Sequence, residues 1–200
     1  MHTGRVGEVE VVIAQLGVGP AVARTTTDWA LNRFTVDHVV VSGIAGGLHP
    51  DLPVGAVVTP ESILDLGSGR RYHAWPLGKT AAKGVVATTD HLIVDRDQLK
   101  SLQSAGVLAL EMESAGVAAA CEAASVPWTA IRAIGDRPDQ NLTDDAILSL
   151  LRPDGTAHVA AALRLVAADP RRIGAMVRLA RDSTMAASVA ARAVLSAIRA

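Results

Sequence analysis

Aromatic side chains are nearly missing from this 200-residue chain: three Trp, one Tyr and one Phe, 2% of the whole. A core has to be packed from Val, Leu, Ile and Ala instead. Cysteine is equally scarce. The one cysteine, Cys121, excludes an internal disulfide and a cysteine-based metal cluster. Its setting, SAGVAAACEAA, suits a buried thiol better than a nucleophile. No sign of charge dominates, since the formal net charge is -1 and neither half carries a long run of one sign. That excludes the electrostatic footprint of a dedicated nucleic-acid binder and favours a small, nearly neutral partner. No apolar run approaches the ~20 residues needed to span a bilayer. The opening MHTGRVGEVEV has no positively charged stretch leading into an apolar one. The expectation is a cytoplasmic protein.

What is present is a globular composition. Half the residues are hydrophobic, and 20.7 kDa fits one domain over residues 1–200. Short β-rich runs alternate with Ala/Leu-rich helical ones. VEVVIA (Val9 to Ala14) reads as a strand, followed by the turn Gly17-Val18-Gly19-Pro20 and a helix over Ala21 to Asn32. DHVVVSG (Asp37 to Gly43) is nearly continuously apolar, as in strands buried on both faces of a parallel sheet. GAVVTP (Gly55 to Pro60), GVVAT (Gly84 to Thr88) and VLALE (Val107 to Glu111) read as further strands, the last leading into a helix over Ser114 to Ala124. PWTAIRAIGD (Pro127 to Asp136) begins as a strand and ends in a Gly-Asp turn. Helices are expected over 143–151, 156–167 and from 170 to the end. Asp65 to Lys83 is the one irregular stretch, expected as a surface loop. The pattern predicts a single α/β domain with a mixed, mostly parallel sheet flanked by helices.

Ligands of open α/β sheets bind beyond the carboxyl ends of the strands, and three strand ends carry distinctive residues. Ser42-Gly43-Ile44-Ala45-Gly46-Gly47 allows backbone to approach a ligand closely; equally, it is a tight turn. It lacks the G-x-G-x-x-G spacing of a dinucleotide site, as does Gly17-Val18-Gly19-Pro20. Leu110-Glu111-Met112-Glu113-Ser114 places two carboxylates between an apolar strand and an apolar helix. Either a carboxylate there accepts from paired sugar hydroxyls, or the charges simply favour a helix N-terminus. Arg132-Ala133-Ile134-Gly135-Asp136 sets an acid just past a buried strand. It suits a general acid whose pKa burial has raised, or an Asp closing a turn.

Other signals carry less. The six histidines show no metal-ligand spacing, so no metal is expected. Ser42 and Ser114 lack a nucleophile-elbow context. The C-terminal arginines Arg171, Arg172, Arg178 and Arg181 beside Ile173, Met176, Val177 and Leu179 fit a helix packed on the sheet. Contact with an anionic membrane surface is the weaker reading.

In this order and spacing the three motifs resemble the nucleoside phosphorylase/nucleosidase superfamily. Within it the chain is similar to methylthioadenosine/S-adenosylhomocysteine nucleosidases and, more closely, to hopanoid-associated phosphorylases. VVVSGIAGGLHPDLPVGAVVTP, VVATTDHLIVD, ALEMESAGVAAAC, VPWTAIRAIGD and the tail LRPDGTAHVAAAL with RLARDS carry the resemblance. It implies cleavage of the N-glycosidic bond of an adenosine-type purine nucleoside, without cofactor or metal. The same resemblance implies a role for each matched residue. Glu113 holds the ribose hydroxyls with Met112 against the sugar. Asp136 is the acid at the purine N7, supported by Arg132. Gly43, Ile44, Ala45 and Gly46 border the ribose and the attacking nucleophile. Asp90, Leu92 and Gly135 belong to the base pocket, Leu92 where relatives often stack an aromatic ring.

Set against the family pattern, the first strand is expected to be missing, with its loop carrying a catalytic glutamate or phosphate-contacting groups. Val41 and Ile44 stand where phosphorolytic members place an Arg and a Ser, which favours hydrolysis, although the hopanoid-associated branch implies phosphorolysis with phosphate as co-substrate. Gly135 replaces a serine that often precedes the acid. The alternative is a non-catalytic nucleoside-binding relative. The family also implies a homo-oligomer.

Overall fold

The computed structural model describes residues 1–136 and 173–200. The helices expected over 143–151 and 156–167, the tail LRPDGTAHVAAAL, and the start of the helix expected from residue 170 lie outside the described residues. From the N-terminus the chain forms β1 (His2–Val6), β2 (Val9–Ile13), α1 (Pro20–Leu31), β3 (Val39–Gly47), β4 (Val57–Val58), β5 (Ser62–Asp65), β6 (Arg71–His73), β7 (Val85–Thr88), α2 (Arg96–Ser104), β8 (Val107–Glu111), α3 (Ser114–Ala123), β9 (Trp128–Asp136) and α4 (Ile173–Arg199).

Seven of these strands make one mixed sheet in the order β4-β9-β3-β8-β7-β5-β6. The longest pairing is the parallel one between β3 and β9, running from Val39↔Trp128 to Gly46↔Asp136. β7 is parallel to both β5 and β8. The antiparallel contacts are short: β3 with β8, β4 with β9, and β5 with β6. β1 and β2 form a separate hairpin, so the strand read from VEVVIA exists but pairs outside the main sheet.

Helices cover both faces because the central strands are apolar on both. Val41 and Ala45 of β3, and Trp128, Ala130 and Ile134 of β9, share a core with Ala23 of α1 and Ala115, Val117, Ala118 and Cys121 of α3. Trp128 is fully buried, and an indole of that size removes ~150–250 Å² from water. On the opposite face Ala133 packs against Ala186 and Ala190 of α4. Alanine on both sides lets that helix lie close. Cys121 is part of the core, where burial and the nearby Asp28 charge push its thiol up to about 12, so it stays protonated. Among the described residues no helix is long and apolar enough to cross a membrane.

Two expectations need correction. The stretch from Asp65 to Lys83 is not irregular throughout. Its start completes a β-hairpin in which the Asp65 carboxylate accepts from the Gly67 N–H at 3.0 Å and the Ser68 hydroxyl, after which β6 pairs back onto β5. Glycine and polar residues build the turn and mask a three-residue strand. Asp136, expected in a turn, instead closes β9. The register shifts there, from Ala45↔Ile134 to Gly46↔Asp136, leaving Gly135 as the extra residue of a bulge. Such a bulge re-aims the next side chain.

Candidate active site

The two acidic motifs meet on β3. Gly46 pairs with Asp136 on one side and with Leu110 on the other. A Cβ placed on Gly46 would lie 3.4 Å from the Asp136 Oδ1 and 3.9 Å from the Leu110 carbonyl oxygen. Glu113 lies two residues past the end of β8, and Arg132, whose Nη1 sits over Gly43, reaches it through Nη2 at 3.4 Å. The acids therefore approach the Gly43–Gly46 stretch from its two sides, Asp136 at the end of β9 and Glu113 at the turn from β8 into α3.

Arg132 links the second motif to the third. Its side chain leaves β9, crosses over Gly43 and ends against β8 and α3. A Cβ on Gly43 would sit 2.6 Å from Arg132 Nη1, closer than two such atoms can approach. Glycine is required here for a side chain to pass, not for a turn. Arg132 Nη2 donates to the Glu111 carboxylate, to Ser114 Oγ at 2.9 Å and, more weakly, to Glu113 Oε2 at 3.4 Å. The Arg132 and Glu111 side chains are only 3% and 1% exposed. The sequence reading put Arg132 behind Asp136 in the base pocket; the bonds it makes are with the Glu111–Glu113–Ser114 segment. Its Nε, buried, has no partner among the described residues.

Glu111 is the residue the sequence reading left without a role. Its carboxylate accepts from the Glu113 N–H at 3.0 Å, the Ser114 N–H at 2.8 Å, the Thr88 hydroxyl and Arg132. Glu113 is the N-cap of α3 but makes no side-chain cap. Glu111 supplies that cap from the end of β8, and Thr88 Oγ1 takes the next free donor, the Ala115 N–H, at 3.0 Å. The first turn of α3 is thus satisfied by two side chains from neighbouring strands. The signal was present as a second carboxylate two residues before Glu113, in the last position of a buried strand.

With its cap supplied by Glu111, the Glu113 side chain is left half-buried and 17% exposed. Burial raises its pKa; the Arg132 charge and hydrogen bonding from the Gly19 and Met112 backbone work against that, while the Glu111 charge adds to it. Gly19 reaches Glu113 because α1 and α3 cross at their N-termini. A Cβ on Gly116 would fall 1.9 Å from the Pro20 carbonyl oxygen. The Gly17-Val18-Gly19 turn, with positive φ at both glycines, therefore abuts the site rather than serving as a distant connector.

Asp136 is also raised, by desolvation. Beside it, Gly135 is buried, and a Cβ there would come 3.3 Å from the Ile44 Cβ. Ile44 is 40% exposed, an apolar side chain open beside the Gly135–Asp136 bulge. Ala45 is buried in the core and Met112 half-buried. Leu92 is half-buried in the segment after β7. Asp90 in the same segment is exposed, and its carboxyl is held below the usual range by the hydrogen bond with His91 Nδ1 at 2.6 Å.

The phosphorylase superfamily profile matches residues 1–168 of this chain. A 5′-methylthioadenosine/S-adenosylhomocysteine nucleosidase of Bacillus velezensis is 30% identical over 164 residues, 67% of this chain and 71% of that protein. Its counterpart in Chromohalobacter salexigens is 31% identical over 166 residues, 68% and 70% of the respective chains. Among solved structures, the nucleosidase of Streptococcus pneumoniae bound to a transition-state inhibitor superposes with a TM-score of 0.72. That match is 20% identical and covers 100% of this chain and 85% of the other.

Proposed function

The chain belongs to the phosphorylase superfamily, and from that premise we propose that it is an enzyme cleaving the N-glycosidic bond of an adenosine-type nucleoside to release adenine. The observation that carries the reading is the pair of acids on either side of one glycine-bearing strand: Asp136, its proton affinity raised by burial beside Gly46, and Glu113, at the start of α3 and 3.4 Å from the Arg132 guanidinium that crosses Gly43.

Each acid meets one demand of the reaction. Breaking the bond leaves positive charge on the sugar and an electron pair on the departing purine. Asp136, its proton affinity raised by burial, donates to the N7 of the base and so avoids expulsion of a poor anion, an effect typically worth ~10²–10⁴ in rate. Glu113, beside the Arg132 charge, accepts from the 2′- and 3′-hydroxyls, fixes the sugar and favours the developing cation. Met112 packs on the sugar; Ile44, Ala45 and Gly46 border the nucleophile; Leu92 and Gly135 bound the base. Asp90, exposed and engaged with His91, acts at most at the rim.

Within this reading we favour water over phosphate as the nucleophile. Among the described residues, Arg132 beside the acids is committed to Glu111, Glu113 and Ser114, and Ile44 presents hydrocarbon where an anion would need donors. The relatives named above carry the name nucleosidase, which agrees. The test is incubation with methylthioadenosine, S-adenosylhomocysteine, adenosine and inosine, with and without phosphate. Adenine and free sugar should appear at a rate indifferent to phosphate, and Asp136→Asn should slow their release by ~10²–10⁴. A phosphate requirement with sugar 1-phosphate as product would reverse the choice of nucleophile, and no base release from any substrate would end the proposal.

A further inference from the structure

Glu113 faces a conflict. A carboxylate that must accept from a sugar diol stands 3.4 Å from a buried guanidinium that could take both its oxygens. A bidentate Arg–carboxylate pair is among the stronger side-chain interactions, and one formed here would leave the diol nothing to bind. The geometry shows why it does not form. Arg132 Nη2 is drawn instead to Glu111, its shortest contact, and to Ser114 Oγ at 2.9 Å.

We propose that Glu111 is a positioning residue that engages Arg132 and thereby keeps the Glu113 carboxylate available to the ribose hydroxyls. This rests on the reading of Glu113 as the diol acceptor. Glu111 suits the task because it has no freedom of its own. Its side chain is 1% exposed and receives hydrogen bonds from Thr88, Arg132 and the N–H groups of Glu113 and Ser114. The last two also tie it to the backbone that carries Glu113, so one carboxylate sets both the location of the diol acceptor and the direction of its competing cation. Gly43 completes the device by letting the guanidinium cross β3.

The test compares the best-cleaved adenine ribonucleoside with its 2′-deoxy counterpart in the wild-type protein, Glu111→Gln and Glu113→Gln. Wild type should prefer the ribo form, and Glu113→Gln should lose that preference. In Glu111→Gln, Arg132 turns to Glu113. KM for the ribonucleoside should rise roughly tenfold with kcat changed less than about threefold, and the ribo/deoxy ratio of kcat/KM should fall about tenfold, the size of one lost hydrogen bond to a charged group. A merely structural role for Glu111 would lower both substrates in proportion and leave the ratio unchanged, which overturns the inference while Glu113 keeps its role. A wild type indifferent to the 2′-hydroxyl overturns the reading of Glu113 and this inference with it. Should Glu111→Gln fail to fold, Thr88→Val removes one donor from Glu111 and keeps its charge. The same ratio should then fall at least about twofold, and an unchanged ratio again refutes the inference.

Discussion

Gly43→Ala puts the passage of Arg132 over β3 to a direct test. The added methyl would lie 2.6 Å from Arg132 Nη1, so the guanidinium must retreat by nearly an ångström or β3 must bow. An exposed arginine would swing aside at little cost. This one is 3% exposed and anchored to Glu111, Ser114 and Glu113. Overpacking a filled interior costs ~1–3 kcal/mol, and full rupture of a buried ion pair costs ~3–5 kcal/mol. A displaced but unbroken pair falls between, at about 2–4 kcal/mol, which for a chain of this size is a Tm drop of roughly 4–16 °C. The assay is thermal unfolding of Gly43→Ala beside Gly4→Ala. A Cβ on Gly4 meets nothing within 4 Å, and that variant should stay within ~0.5 kcal/mol of wild type as an ordinary surface change. Equal stability of the two variants would refute the claim that Gly43 exists to let a side chain through.

Two further outcomes follow from the same geometry. Gly116→Ala sets a methyl 1.9 Å from the Pro20 carbonyl oxygen, which is backbone and cannot swing away; we expect loss above ~4 kcal/mol or no soluble protein, and a stable variant would contradict the α1–α3 crossing. Asp136 has its pKa raised in the folded protein, so the ionised form opposes folding, and stability is lost as pH rises through the folded pKa. Asp136→Asn should therefore unfold at a higher temperature than wild type at neutral pH, with the gap closing in acid, while activity falls by ~10²–10⁴; an asparagine variant less stable at neutral pH would show that the carboxyl is not desolvated.

Much of the architecture could be read along the chain because its central strands are apolar on both faces. VLALE ends at Glu111 and the next helix starts at Ser114, as its residues suggest. The residue-level reading of Glu113 and Asp136 as candidate acids came from charge placed where charge is unusual. Elsewhere local pattern was silent. The three-residue strand Arg71–His73 alternates exposed, buried, exposed on an edge, too short to separate from the loop around it. The continuation of β9 through Gly135 to Asp136 depends on pairing with β3, which no local propensity encodes.

By itself, then, the order of residues determined most of the central strands and the helices α1 and α3, that the core would be aliphatic, and that the acids at 111, 113 and 136 stand at the ends of buried strands. Periodicity and burial preference are local properties, and they survive translation from one dimension to three. Which partner each charge takes was decided only by folding. Arg132 lies 21 residues from Glu111 and finds it because β9 and β8 both border β3, and because Gly43 leaves the gap between them open. A guanidinium's choice among acceptors depends on distance and desolvation, and both come into being with the tertiary structure.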